Sequence, residues 1–210
     1  MFSPRELSLE RGWPGRIDGD RVVQLAAQTL QAFFTGGGKA REHAEYSLSD
    51  VALRAPVLRP PSIRVFGGDD FLFANPASIY GPDDAILWPE GADHLEAELR
   101  VAAVIGADQR IGGFTLMNDW IAHGLAGTKA RDFATSMGPI VVTPDELVSE
   151  GPDWDSLVEI AARNTRLLPG DVLAAEGVRQ RRELGPGDVA ELELEGIGAL
   201  RNRVSGTPAA

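Results

Sequence analysis

The sequence predicts a mostly β protein with a few helices packed outside, an α+β chain in which strands dominate. Three observations predict it. The 24 glycines and 14 prolines are scattered through the 210 residues, the pattern of many short strands joined by turns. Helical periodicity of any length occurs in two stretches only. The middle and end of the chain carry apolar or alternating runs bounded by turn residues.

Taken in order, Gly15-Arg-Ile-Asp-Gly-Asp reads as a small hairpin turn. In Arg21–Phe34 the apolar residues Val22, Leu25, Ala26, Leu30 and Phe33 recur at helical spacing, and Gly36-Gly37-Gly38 stops the pattern. Arg59-Pro-Pro-Ser-Ile-Arg is an extended connector, because proline keeps the residue before it out of the helical region. A boundary is expected there, with a small N-terminal α+β subdomain over residues 1–55 and a larger β domain over 56–210. Ala97–Ile105 is a nearly continuous apolar run, Gly113–Met117 is another, and Pro139–Thr143 is rich in β-branched residues; all three read as strands. Ser156–Leu167 is the second helix, with Ser156 as its cap. Leu168-Pro-Gly-Asp-Val and Leu184-Gly-Pro-Gly-Asp-Val are two similar turns, each leading into a strand. Val189–Leu194 alternates apolar and acidic residues, so one face is buried and the other wet.

Composition excludes several functions. Twenty basic residues against 31 acidic ones give a net charge of −11, which repels a phosphate backbone, so no nucleic-acid partner is expected. Arg179, Arg181 and Arg182 read as a solvated loop. With no cysteine, disulfides, thiolate metal sites and a cysteine nucleophile are all ruled out. Met-Phe-Ser-Pro-Arg-Glu has no basic region followed by an apolar core, and no run reaches the roughly 20 apolar residues a bilayer needs. A cytoplasmic protein without a membrane partner is expected. Gly36-Gly37-Gly38 lacks the strand–loop–helix setting of a phosphate loop, and no Gly-x-Ser-x-Gly elbow occurs.

Three carboxylates are candidates for chemistry. Glu96 and Glu98 are two apart at the start of a strand and therefore share a face. Two carboxylates there repel unless a cation or a proton lies between them. Asp119 ends the Gly113–Met117 strand beside Asn118 and Trp120. Such a set suits Mg²⁺, Mn²⁺ or Ca²⁺; two glutamates facing solvent is the plain alternative. Lys129, Arg131 and Thr135 lie in a polar segment ahead of an apolar strand, where they would bind a carboxylate substrate or form an ordinary surface loop. Of the three histidines, His43 reads as exposed, His94 precedes the glutamates, and His123, four residues after Asp119, is placed to reach a metal or substrate.

Glu96-Ala-Glu-Leu-Arg-Val-Ala-Ala-Val-Ile-Gly, Gly112-Gly-Phe-Thr-Leu-Met-Asn-Asp-Trp, Asp132-Phe-Ala-Thr-Ser-Met-Gly-Pro and Gly187-Asp-Val-Ala-Glu-Leu-Glu-Leu form an ordered series. With Asn75-Pro-Ala-Ser-Ile-Tyr-Gly-Pro and the connector, the series resembles the fumarylacetoacetate hydrolase family over nearly the whole chain. The resemblance implies a mixed β-roll, usually dimeric, and a divalent metal held by Glu96, Glu98 and Asp119. It implies cleavage of a carbon–carbon bond in a 1,3-dicarbonyl acid such as an acylpyruvate, or decarboxylation or tautomerisation of a related 2-oxo acid. Thr135 matches the threonine of the family's Lys-x-Phe-x-Thr, whose lysine is replaced by Arg131, with Lys129 two residues earlier.

The chain also departs from the pattern. Hydrolytic members carry a histidine, paired with a glutamate, where this chain has Val65-Phe-Gly-Gly-Asp-Asp-Phe-Leu-Phe-Ala. An arginine that often binds substrate is replaced by His123, and the segment between Thr143 and Ser156 is short. Three readings stay open: a metal-dependent hydrolase with His123, Arg131 and Lys129 as catalytic groups and Thr135 and Arg131 binding substrate; an isomerase or decarboxylase; and a reduced paralogue acting as a binding module.

Overall fold

The computed structural model describes residues 1–147 and 152–206, with the backbone alone for 178–182. The first part of the chain holds β1 (Phe2–Pro4), β2 (Gly15–Asp18), β3 (Arg21–Leu25), the helix α1 (Leu30–Thr35), β4 (Glu42–Ser47) and β5 (Val51–Leu53). β1 pairs with β5, and β2, β3 and β4 form a separate antiparallel sheet. Phe2, Val22 and Val51 make its small core.

The helix expected over Arg21–Phe34 is therefore split, with strand over Arg21–Leu25 and helix only from Leu30. Gly19 turns the chain at φ +60°, and the β-branched pair Val22-Val23 is hydrogen-bonded on both sides, to β2 and to β4. Only the end of the pattern is helical: Thr29 Oγ1 accepts from Ala32 N at 3.0 Å, and Gly36 closes α1 as expected.

The second part is one curled, mixed sheet. Its strands are β6 (Ile63–Gly67), β7 (Asp70–Phe73), β8 (Ile79–Tyr80), β9 (His94–Ile105), β10 (Ile111–His123), β11 (Thr135–Val142), β12 (Val172–Ala174) and β13 (Val178–Leu184). The order across it is β7-β6-β12-β9-β10-β11-β8, and β13 pairs with β9 beyond the end of β12. β6 runs parallel to β12 and β8 parallel to β11, while the other pairings are antiparallel. Helix α2 (Trp154–Ala162) lies between β11 and β12 in the chain, and the hairpin of β14 (Val189–Leu194) and β15 (Gly198–Arg203) follows β13. Phe114, Leu116, Ala161, Leu173 and Leu200 belong to one core that joins the sheet, α2 and the hairpin. Phe34 and Val57 pack on Val104, so the first part of the chain leans directly on the large sheet.

Several sequence expectations shift. The end of the connector, from Ile63, already belongs to the β6–β7 hairpin, which turns at Gly68 with φ +68°. β10 runs on to His123, so Asp119 lies inside a strand rather than at its end. α2 is capped by Asp153, whose Oδ1 accepts from Ser156 N, and stops before Asn164, which takes φ +61°. Residues 178–182 continue as strand, not loop; the side chains of Arg179, Arg181 and Arg182 lie outside the described residues. Among the described residues no helix is long and apolar enough to cross a membrane.

Candidate active site

β9 and β10 are long and buried on both faces, which is why β9 reads as a continuous apolar run. The polar exceptions are informative. Residues two apart share a face, so Glu96, Glu98 and Arg100 of β9 point the same way. Register does the rest. Asp119 is directly opposite Glu98 on β9 and directly opposite Thr135 on β11. Glu98, Asp119 and Thr135 thus form one row across three strands, with neighbours roughly 5 Å apart at the backbone. All three are buried, Asp119 to 1% exposure.

Among the described residues, two arginines neutralise this row. Arg100 is buried; its Nη2 is 2.8 Å from Glu98 Oε1, and its Nη1 donates to the carbonyls of Phe66 and Ala175, each at 2.7 Å. Arg131 Nη1 donates to Asp119 Oδ2 in a short contact and lies 3.7 Å from Glu98 Oε2. Burial pushes the Asp119 carboxyl above the ordinary carboxylate range; Arg131 and Arg100 pull it back, and the neighbouring Glu98 adds to the rise.

The remaining predicted residues divide. Glu96 turns to His123, with Oε2 2.8 Å from Nε2, and the His123 ring stacks on His94 at 4.3 Å between centroids. Lys129 is not brought to the carboxylates: it is exposed and pairs with Asp132 at 2.9 Å. Of these two cations, Arg131 is the one that reaches the carboxylates. His43 is exposed on β4, as expected.

Arg100 was missed in the sequence, although Glu-x-Glu-x-Arg carries the signal: an arginine within an apolar run must find partners. Asn75 and Ser78 were noted only for their resemblance. Their side chains both donate to the Asp132 carbonyl, at 2.9 and 2.8 Å, and Ser78 O accepts from Thr135 N, so they anchor the turn that carries Arg131. A cleft of about 650 Å³ opens at the Glu98 end of the row, lined by Glu98, Arg100, Arg131, Asp70, Phe71 and Glu176 among others.

Among the described residues, as placed, no three acidic or histidine side chains converge as a ligand set. The donor chemistry nevertheless fits a divalent cation. Glu98 and Asp119 are hard oxygen donors side by side, Glu96 is on the same face, and a positive charge already lies between the first two.

The family model for the fumarylacetoacetate (FAA) hydrolase C-terminal region matches residues 38–157, more than half of the chain. The chain belongs to that family. It is 32% identical over 170 residues to an uncharacterised protein of Methanocaldococcus jannaschii, covering 64% of this chain and 71% of that one. It is 27% identical over 178 residues to the 2,4-didehydro-3-deoxy-L-rhamnonate hydrolase of a Sphingomonas species, covering 61% and 62%. The fold matches maleylpyruvate hydrolase from Sphingobium sp. SYK-6, in complex with manganese(II) and pyruvate, with a TM-score of 0.81 at 18% identity over 94% of this chain and 97% of the other.

Proposed function

We propose that this chain is a divalent-metal-dependent hydrolase that cleaves a carbon–carbon bond in a small 1,3-diketo, acylpyruvate-like acid. The observation that carries the reading is the row of Glu98, Asp119 and Thr135, balanced by Arg131 at the wall of a cleft. The manganese and pyruvate in the similarly folded maleylpyruvate hydrolase support the same chemistry here. Glu96, Glu98 and Asp119 would hold Mg²⁺ or Mn²⁺, with Ca²⁺ as a further oxygen-seeking ion. Such a cation is a Lewis acid that polarises a dicarbonyl and favours enolate departure.

The chain's own groups supply the rest. Arg131 pairs with the substrate carboxylate, its planar fork suited to two parallel hydrogen bonds. Thr135 borders Asp119 and contributes a hydroxyl to the substrate. His123, whose Nε2–H donates to Glu96 and whose ring stacks on His94, takes the proton from an attacking water at Nδ1 and returns it to the departing carbon. A homodimer belongs to this reading as well, and light scattering on the eluting protein tests it.

Thermal unfolding with EDTA, Mg²⁺ or Mn²⁺, on wild type and on Glu96→Ala/Glu98→Ala, is the test. Metal-dependent stabilisation lost in the variant supports the site, because a ligand that binds only the folded chain must stabilise it. No shift in wild type at millimolar metal would leave a binding module as the better reading. One observation favours a second enzyme reading, an isomerase or decarboxylase that activates no water: the tight β6–β7 hairpin has no histidine. Product analysis separates them. Hydrolysis yields two carbon fragments; the alternative yields CO₂ or a product of unchanged mass.

A further inference from the structure

Among the described residues, two arginines reach the carboxylate row, and they are held in different ways. Arg100 is carried by β9, is buried, and has Nη1 tied to two backbone carbonyls, so it cannot leave without stranding them. Arg131 is carried by a short turn, just past the 3₁₀ segment Gly127–Ala130, and its side chain is 31% exposed at the cleft wall. Its guanidinium reaches from that turn onto Asp119 and toward Glu98, both fixed on paired strands and almost fully buried. Two buried carboxylates facing each other need positive charge. Arg131 supplies it on the same oxygens that a divalent cation would use. A guanidinium and a metal ion cannot share those lone pairs, and their like charges repel.

Resting on the metal-dependent reading above, we infer that Arg131 is an exchangeable cation. It holds Asp119 and Glu98 in the metal-free protein, is displaced by the incoming metal, and swings into the cleft to take the substrate carboxylate. The turn gives it the freedom to move, and the anchor of Asp132 on Asn75 and Ser78 keeps the base of that movement fixed. Metal and carboxylate ligand then assist each other. The metal frees Arg131 for the carboxylate, and the carboxylate draws Arg131 away from Asp119; by linkage both factors are equal. A purely structural Arg131 predicts the opposite for the metal, since its removal would loosen the ligands.

The experiment is calorimetric titration of wild type, Arg131→Met and Arg131→Gln with Mn²⁺, with and without saturating pyruvate. Glutamine retains a donor to Asp119 and keeps the fold testable if methionine does not. Without pyruvate, the neutral variants are expected to bind Mn²⁺ about tenfold more tightly than wild type, within the usual range of coupling between sites. Pyruvate is expected to raise Mn²⁺ affinity in wild type and to do so much less in the variants. Equal or weaker Mn²⁺ binding by the variants overturns the exchange, as does tighter binding with the pyruvate effect intact. If neither wild type nor either variant binds Mn²⁺, the metal-dependent reading itself fails and takes this inference with it.

Discussion

The floor of the cleft and its rim are built from opposite materials. The floor is β9, which presents Glu98 and Arg100 to the cleft and is backed by β10; the two strands are twelve and thirteen residues long and paired along nearly their whole length. The rim is a four-residue edge strand, β7, with Leu72 and Phe73 exposed, and the turn that carries Arg131. Floor residues hold their carboxylates by register, which no side-chain motion can change. Rim residues hold theirs by reach. The difference teaches that the charge arrangement on the floor is permanent, whereas the group that balances it from the rim can be exchanged.

The largest effect should come from breaking the floor's own charge. Asp119→Asn is expected to abolish the Mn²⁺-induced rise in Tm and to lower acylpyruvate turnover by about 10³-fold, the several kcal/mol that a metal-held enolate is worth. Turnover within tenfold of wild type would show that chemistry does not take place on the floor.

Arg100→Met comes next. It leaves Glu98 without its 2.8 Å partner and two buried carbonyls without a donor, so urea unfolding should show a loss of about 3–5 kcal/mol. A loss below about 1 kcal/mol would mean that water or a neighbour replaces the guanidinium, and the floor would be less rigid than its packing implies.

The same contrast explains what could be read from the chain alone. Glu96 and Glu98 were legible because strand alternation fixes their common face, and Asp119 joined them through the ordered series around it. The long strands, the β turns at Pro169-Gly170 and Pro186-Gly187, and the overall β character were legible for the same local reason. Arg21–Phe34 was not, because Val22, Leu25 and Ala26 satisfy a helical spacing while Val22-Val23 and the Gly19 turn favour a strand, and pairing to two neighbours decided it. The β6–β7 hairpin was obscured by the prolines preceding it. The Arg131–Asp119 contact depends on how a turn folds back over twelve residues of chain, and no spacing rule encodes that.

Gly177→Ala sharpens the boundary between the two regions. Gly177 borders the cleft, yet a Cβ there would stand 2.4 Å from the Leu99 carbonyl oxygen and 2.6 Å from Arg100 Cγ. The backbone must shift to admit it, at a cost of about 1–3 kcal/mol by analogy with overpacked cores. Thermal unfolding compared with wild type measures this. An unchanged Tm would move Gly177 from the floor's rigid packing to the adaptable rim.

The smallest effects belong to β7. Leu72 is 65% exposed, so Leu72→Ser should change stability by no more than about 0.5 kcal/mol in urea unfolding. Phe73 is as exposed, but its ring centroid lies 5.5 Å from the Arg64 guanidinium carbon, and Phe73→Ser should cost slightly more, about 0.5–1 kcal/mol. Arg64 itself stays in place, because it donates to Ser62 Oγ at 2.5 Å and lies 3.7 Å from Asp171. Both values assume that β7 ends in solvent. In the proposed homodimer an exposed apolar edge strand is a natural contact, and its loss would then depend on protein concentration. Repeating the Leu72→Ser unfolding at two concentrations tenfold apart decides it: an equal, small loss at both keeps β7 a free rim, and a larger loss at the lower one makes it part of an interface.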